Sequence, residues 1–185
     1  MQMAKGTASL ATGAEFGIAD VLRLLTSVTL LRRQGFLLHA SAVLRKGHAY
    51  VFFGPSESGK TTVARLSGED KILTDETAAI ALSGNAYYAY ATPFAGEFEK
   101  VSENTGGPIR ALMLLRKDDK FAHRALSRKE AVQELFRSVI MPPADIRTFN
   151  AVFAALDALA AGVPCYEFHF KAEPELWRYI DGSIA

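Results

Sequence analysis

A chain of 185 residues, 49% hydrophobic and 22% charged, has the size and balance of one soluble globular domain around a single core. Lysine and arginine number 21 against 20 acids, a net charge of +1, which removes any bulk electrostatic case for nucleic acid. Its one cysteine, Cys165, leaves no internal disulfide and no thiolate cluster, which suits a reducing compartment.

Residues 1–13 are small and polar and are expected to be a flexible N-terminus, ahead of a single domain over residues 14–185. The first ten residues hold no apolar run, so no secretory signal is expected. From about Glu15 to Arg33, Val21, Leu24, Leu25, Val28 and Leu31 recur at helical spacing and predict an amphipathic core helix stopped by Gly35. Val21 to Leu31 is too short to span a bilayer, so no membrane partner and a cytoplasmic location are expected.

Leu37 to Leu44 and Ala49 to Phe53, separated by Arg45-Lys46-Gly47-His48, read as a β-hairpin. A glycine-rich stretch and a short helix to Ser67-Gly68 follow, then a strand Ile72-Leu73-Thr74 that delivers Asp75 and Glu76. Thr77–Leu82 and Ala86–Ala91 form a second hairpin across Ser83-Gly84-Asn85, and Thr92 to Pro108 reads as a mobile loop. Ile109 to Leu115 is a buried strand. Ser127 and Glu130 make a capping-box pattern for a helix to about Val139. Pro142-Pro143 breaks the chain, a second helix runs to Ala161 with Gly162 at its end, and Val163 to Phe170 and Glu173 to Ile180 close the chain as strand and helix.

The run Gly54-Pro55-Ser56-Glu57-Ser58-Gly59-Lys60-Thr61 satisfies G-x-x-x-x-G-K-[ST] in full, after an apolar strand and before the helical Thr62-Val63-Ala64-Arg65-Leu66. Such a P-loop turns backbone N–H groups inward as a nest for phosphate oxygens, with the positive end of the next helix behind them. Lys60 would reach the β- and γ-phosphates of a nucleoside triphosphate, ATP by expectation, and the Thr61 hydroxyl would sit on Mg²⁺. A chance Gly/Ser turn is the alternative, disfavoured by the strand before and the helix after.

In an ordinary P-loop NTPase the loop strand is reached by a crossover of a dozen or more residues within a parallel sheet. Here the preceding strand is joined by a tight turn and must run antiparallel. The expected fold is therefore α/β, a single-domain mixed-sheet P-loop architecture with flanking helices. A Lys46-Gly47 turn pairs Arg45 with His48, Val43 with Tyr50 and Ser41 with Phe52, and leaves His39 opposite Gly54. His39 is either satisfied inside the sheet or a group of the site, and its position favours the site. A carboxylate where Asp75 and Glu76 stand can bind Mg²⁺ or accept a proton from an attacking hydroxyl; an N-cap or turn acid is the alternative.

Leu38-His39-Ala40-Ser41-Ala42-Val43, the P-loop, and Leu73-Thr74-Asp75-Glu76 together resemble the bacterial HPr kinase/phosphorylase family, and more closely its short HPr-kinase-like relatives. Leu126-Ser127, Glu130-Ala131 and Val163-Pro164-Cys165-Tyr166 agree more loosely. The resemblance implies a core like that of phosphoenolpyruvate carboxykinase and ATP-dependent phosphorylation of a serine hydroxyl. It matches the family's histidine to His39 and its paired acids to Asp75, the proton acceptor, and Glu76, a metal ligand beside Thr61. The second acid here is Glu where long members have Asp, and the chain corresponds to the catalytic half alone. Reverse phosphorolysis is therefore not assumed.

On this reading Lys60 and Asp75 carry transfer, with His39 orienting Asp75. The acceptor is an unknown protein, peptide or small hydroxyl compound, and a homo-oligomer is compatible with the family. A non-catalytic ATP-binding module and an ATPase or GTPase switch are the alternatives; the absence of an N-K-x-D signature counts against the GTPase. Arg110, Arg137 and Arg147 are candidates to meet transition-state charge, and Glu97 and Glu99 for metal or acceptor, though each also reads as a plain surface residue. Tyr87, Tyr88 and Tyr90 read as packing or as an adenine stack. His48, His123 and His169 have no zinc pattern, and Arg116-Lys117-Asp118-Asp119-Lys120 reads as a solvated turn.

Overall fold

The computed structural model describes residues 17–68, 70–94, 96, 104–142 and 145–184. The expected N-terminal segment, Glu97, Glu99 and half of the expected loop before Pro108 lie outside them.

The hairpin is formed by β1 (Phe36–Arg45) and β2 (His48–Phe53). Lys46 and Gly47 both have positive φ, 50° and 79°, as a two-residue turn between twisted strands requires. The register is the expected one: Arg45 faces His48, Val43 faces Tyr50, Ser41 faces Phe52. The last pair is Ala40 with Phe53, so His39 is the first residue of β1 that β2 no longer covers.

After α2 (Lys60–Leu66), β3 (Lys71–Thr74) and β4 (Thr77–Ser83) run one after the other along the opposite edge of β1. Ala42 pairs with Thr74 and His39 with Thr77, so Asp75 and Glu76 lie in the break between β3 and β4, beside Ser41 and Ala40. The Ala40 N–H donates to the Glu76 carbonyl at 3.0 Å. β1 is thus the spine on which both halves of the motif hang.

β5 (Ala86–Tyr90) completes the second hairpin and pairs with the start of β6 (Gly106–Lys117). The expected loop therefore ends two residues before Pro108. From Ala49 to Phe53, β2 lies parallel to β6, and β6 lies parallel to β9 (Cys165–Phe170), whose other edge takes β7 (Ala122–Ala125). The sheet is mixed, as expected. The helix from Arg128 stops at Phe136 (α3), and Val139–Ile140 form a short β8 against Leu37 and Leu38 of β1 rather than continuing it. Its Ser127–Glu130 capping box is present. α4 (Ile146–Gly162) and α5 (Leu176–Ser183) complete the fold.

Side chains alternate across β6. Leu112 and Leu114 pack with α3 and α4 through Leu135, Val152, Leu156 and Leu159. Met113 and Leu115 pack with Phe168, Phe170 and the α5 residues Trp177 and Ile180. The sheet has two covered faces.

α1 (Ile18–Leu31) corrects the expected core helix. Its spacing is helical, but Ile18 is 77% exposed, Leu25 53% and Val28 47%, and its one buried residue is Ser27. Periodicity reports that a helix has an apolar side, not that the same chain covers it. Ile146, Phe149 and Phe153 of α4 are also exposed, and the two phenylalanine rings stack 6.3 Å apart.

Candidate functional site

The glycine-rich loop leaves β2 at Gly54 and enters α2 at Lys60. Gly59 holds φ +106° at the helix entrance, and a Cβ there would stand 2.4 Å from Cζ of Phe170. Both conditions admit glycine alone. α2 has seven residues, so the one full cation of the loop, Lys60, outweighs any axial dipole. The Lys60 side chain is folded back and its Nζ donates to the carbonyls of Gly54 and Pro55, each at 3.0 Å. Burial lowers its pKa from the ordinary lysine range. Ser58 Oγ is buried without a hydrogen-bond partner among the described residues.

A cavity of about 460 Å³ opens over this loop. Ser56, Glu57, Gly59, Lys60, Thr61 and Thr62 line it from one side; His39, Asp75, Glu76 and Gly96 line it from the other. Residues far apart in sequence and singled out in it therefore face one space. Asp75 is buried, 4% exposed, and its Oδ1 accepts the Gly96 N–H at 2.9 Å. Glu76 is half-exposed and lies 3.9 Å from the Arg23 guanidinium of α1, which also stands over the Phe94 ring at 5.3 Å.

His39 sits where β2 hands over to β8, and its N–H donates to the Ser138 carbonyl at 2.7 Å. Its ring lies beside the Glu76 backbone. Burial first, and the Lys60 charge second, hold its pKa below the usual imidazole value, so the ring is neutral at pH 7. The ring thus stands beside the Asp75–Glu76 turn, next to Glu76.

The parallel β2–β6 ladder contributes two residues that sequence reasoning set aside. β2 ends opposite Leu114, but β6 runs on to Lys117 beside the glycine loop. Lys117 lines the 460 Å³ cavity. Arg116 lines a second cavity of about 400 Å³ that touches Gly54, Pro55, Ser56 and His39 from the opposite face. The expected solvated turn from Arg116 to Lys120 is thus corrected at its first two residues, which end a strand. Among the arginine candidates, Arg137 lines the second cavity; Arg110 and Arg147 are exposed and line neither.

Other candidates resolve as packing. Tyr87 is buried, and Tyr88 and Tyr90 stack on each other at 5.9 Å away from both cavities. His123 bonds the Tyr179 hydroxyl at 3.0 Å, and His169 lies between Asp118 and Glu167 at 2.9 and 3.3 Å. Cys165 is buried and its thiol is pushed up to about 12, which removes it as a nucleophile. Among the described residues there is no group of three or more His, Cys, Asp or Glu that could hold a metal, and no helix long and apolar enough to cross a membrane.

Comparison with known proteins gives a family. A sequence model of the family described as "SynChlorMet cassette protein ScmC" matches residues 17–185. No curated protein matches the chain. Among solved structures, the HPr(Ser) kinase/phosphatase of Coxiella burnetii aligns at 10% identity and a TM-score of 0.36, over 68% of this chain and 88% of that one.

Proposed function

We propose that this chain, which belongs to the ScmC family, is an ATP- and Mg²⁺-dependent phosphotransferase that moves the γ-phosphoryl group to a hydroxyl acceptor. One observation carries the reading: Lys60, Thr61, Asp75, Glu76 and His39 line a single cavity over a loop with the full P-loop pattern. The resemblance of the same residues to HPr kinases supports a serine of a protein or peptide, or a small hydroxyl compound, as acceptor.

The residues fit the triphosphate. Ser58 Oγ is a buried hydroxyl in want of a partner, and the Lys60 ammonium is held on the loop's own carbonyls, from which it can turn to phosphate oxygens. Mg²⁺ is commonly held by one or two protein ligands and otherwise by phosphate and water, which suits Thr61 and Glu76. When bound, it supplies charge neutralisation at the phosphate oxygens.

Asp75 takes the proton of the acceptor hydroxyl as the new O–P bond forms. The bond from the γ-phosphorus to the β–γ bridging oxygen breaks, and its electron pair leaves with ADP. Gly96 holds one Asp75 oxygen through its N–H, and Asp75 lines the cavity. Neutral His39 packs beside the Asp75–Glu76 turn without placing a second cation beside Lys60. Positioning and charge do the rest of the work.

The test is transfer from labelled ATP with Mg²⁺ to serine peptides and small alcohols, comparing wild type with Lys60→Ala and Asp75→Asn. Asn at position 75 keeps the acceptor for the Gly96 N–H, so ATP binding stays while turnover falls on the order of 10²–10⁴-fold. Nucleotide bound with neither transfer nor hydrolysis in wild type would replace the kinase by a binding module. Phosphate released with no acceptor labelled would make it an ATPase.

A further inference from the structure

The 400 Å³ cavity on the α3 face has been given no role so far, although it borders the glycine loop. Leu114 is its apolar floor; Arg116 of β6, with Glu134 and Arg137 at the end of α3, are its charged walls. It lies on the sheet face of Leu112 and Leu114, whereas the nucleotide cavity lies on the α2 face. The two cavities share His39 and Ser56 in their linings and so meet at the start of the glycine loop.

Resting on the phosphotransfer reading, we propose that this second cavity is the acceptor pocket and that it takes a hydroxyl compound bearing a carboxylate or phosphate group. With a nucleotide held by residues 56–62, the body of the acceptor would lie in this cavity and its hydroxyl would reach past the shared His39 and Ser56 into the space that Asp75 lines. The volume is within the range of small-ligand clefts, roughly 300–1,000 Å³.

The charge pattern names the class. Arg116 Nε is 3.5 Å from Glu167, too long for a good hydrogen bond, and Arg137 pairs with Glu134 while its side chain stays 69% exposed. In each pair the guanidinium is the more exposed partner, 38% and 69% against 18% for Glu167 and 23% for Glu134, and a pair open to solvent on its cation side contributes about 0–1 kcal/mol. Either guanidinium can therefore exchange its protein carboxylate for a ligand anion at small cost, and its planar fork matches carboxylate and phosphate alike.

The experiment holds the protein saturated with Mg²⁺ and a non-hydrolysable ATP analogue and follows ligand binding by NMR. Two matched pairs are titrated: a blocked peptide with serine between two glutamates against the same peptide with glutamines, and glycerate against glycerol. The anionic member of at least one pair should bind roughly tenfold more tightly, the order of one charge-assisted hydrogen bond. Arg116→Gln and Arg137→Gln should each reduce that preference and leave the analogue's affinity unchanged. A preference in the peptide pair alone points to an acidic peptide, in the second pair alone to a small hydroxy acid. No preference in either pair, or one that survives both substitutions, overturns the pocket while the nucleotide site stands. An analogue that does not bind brings down both.

Discussion

Lys60 Nζ donates to the carbonyl of Gly54, 3.0 Å away, so the cation of the loop is bonded to the residue that opens it. That ammonium is nearly fully buried, 7% exposed, with main-chain oxygens as its counter-charge. A polyphosphate is the stronger partner, since both groups are then ionised. Lys60→Ala should weaken Mg·ATP roughly 10–100-fold, the equivalent of about 1.5–3 kcal/mol for hydrogen bonds to a charged group. Calorimetry with the ATP analogue reads it directly. Unchanged affinity would remove Lys60 from the site.

Gly59 faces Phe170 so closely that any side chain must displace the ring. Gly59→Ala adds a Cβ 2.4 Å from Phe170 Cζ and places a non-glycine residue at φ +106°. The second effect alone costs on the order of 1–3 kcal/mol. With about 2–4 °C of melting temperature per kcal/mol in a chain of this size, Tm should fall by roughly 3–10 °C. Adding Phe170→Leu should recover only part of the loss, because it relieves the contact and not the dihedral. Full recovery in the double variant would mean that the backbone conformation was never strained.

The elements legible in the sequence were those fixed by neighbours in the chain. Lys46-Gly47 permits one tight turn, and that turn set the β1–β2 register down to His39. Ser127 and Glu130 opened α3 by a capping box four residues long. The illegible ones depend on distant partners. Arg116 and Lys117 read as a turn because nothing local shows that β6 outruns β2 in a parallel ladder. Val139 read as the end of a helix because β1 alone decides that it pairs as a strand. Arg23, which brings α1 to within 3.9 Å of Glu76, gave no signal beyond its place in an apolar run.

His39 makes stability depend on pH in a defined window. Burial and the Lys60 charge lower its folded pKa below 6.5, so the unfolded chain binds more protons between the folded value and 6.5. Stability therefore rises with pH across that window and is lost as pH falls through it. His39→Gln removes the titration. Melting curves from pH 7.5 to 5 should show wild type losing Tm more steeply than His39→Gln. Parallel curves would show that the imidazole does not titrate differently on folding.

Asp181 supplies a second pH window, of the same sign as the first but lower on the pH scale and elsewhere in the fold. Its carboxylate accepts from Arg45 at 2.8 Å and from Lys46 at 2.9 Å, and Arg45 in turn reaches Asp70 at 2.6 Å and covers the Trp177 ring at 4.9 Å. This ties α5 to the hairpin turn on the side away from the cavities. The hydrogen bonds from Arg45 lead in lowering the Asp181 pKa from 3.8 to about 2. A depressed carboxyl contributes its full stability above the unfolded pKa and loses it as pH falls toward the folded one, here from about pH 4 to 2. With solvent screening of a partly exposed cluster, about 1 kcal/mol is expected at neutral pH. Asp181→Asn should therefore lower Tm by about 2–4 °C at pH 7. The same substitution should leave Mg·ATP affinity unchanged, because Asp181 lines neither cavity. A variant that melts like wild type would show the cluster to be electrostatically idle, and one that loses nucleotide would show that α5 and the hairpin turn set the loop.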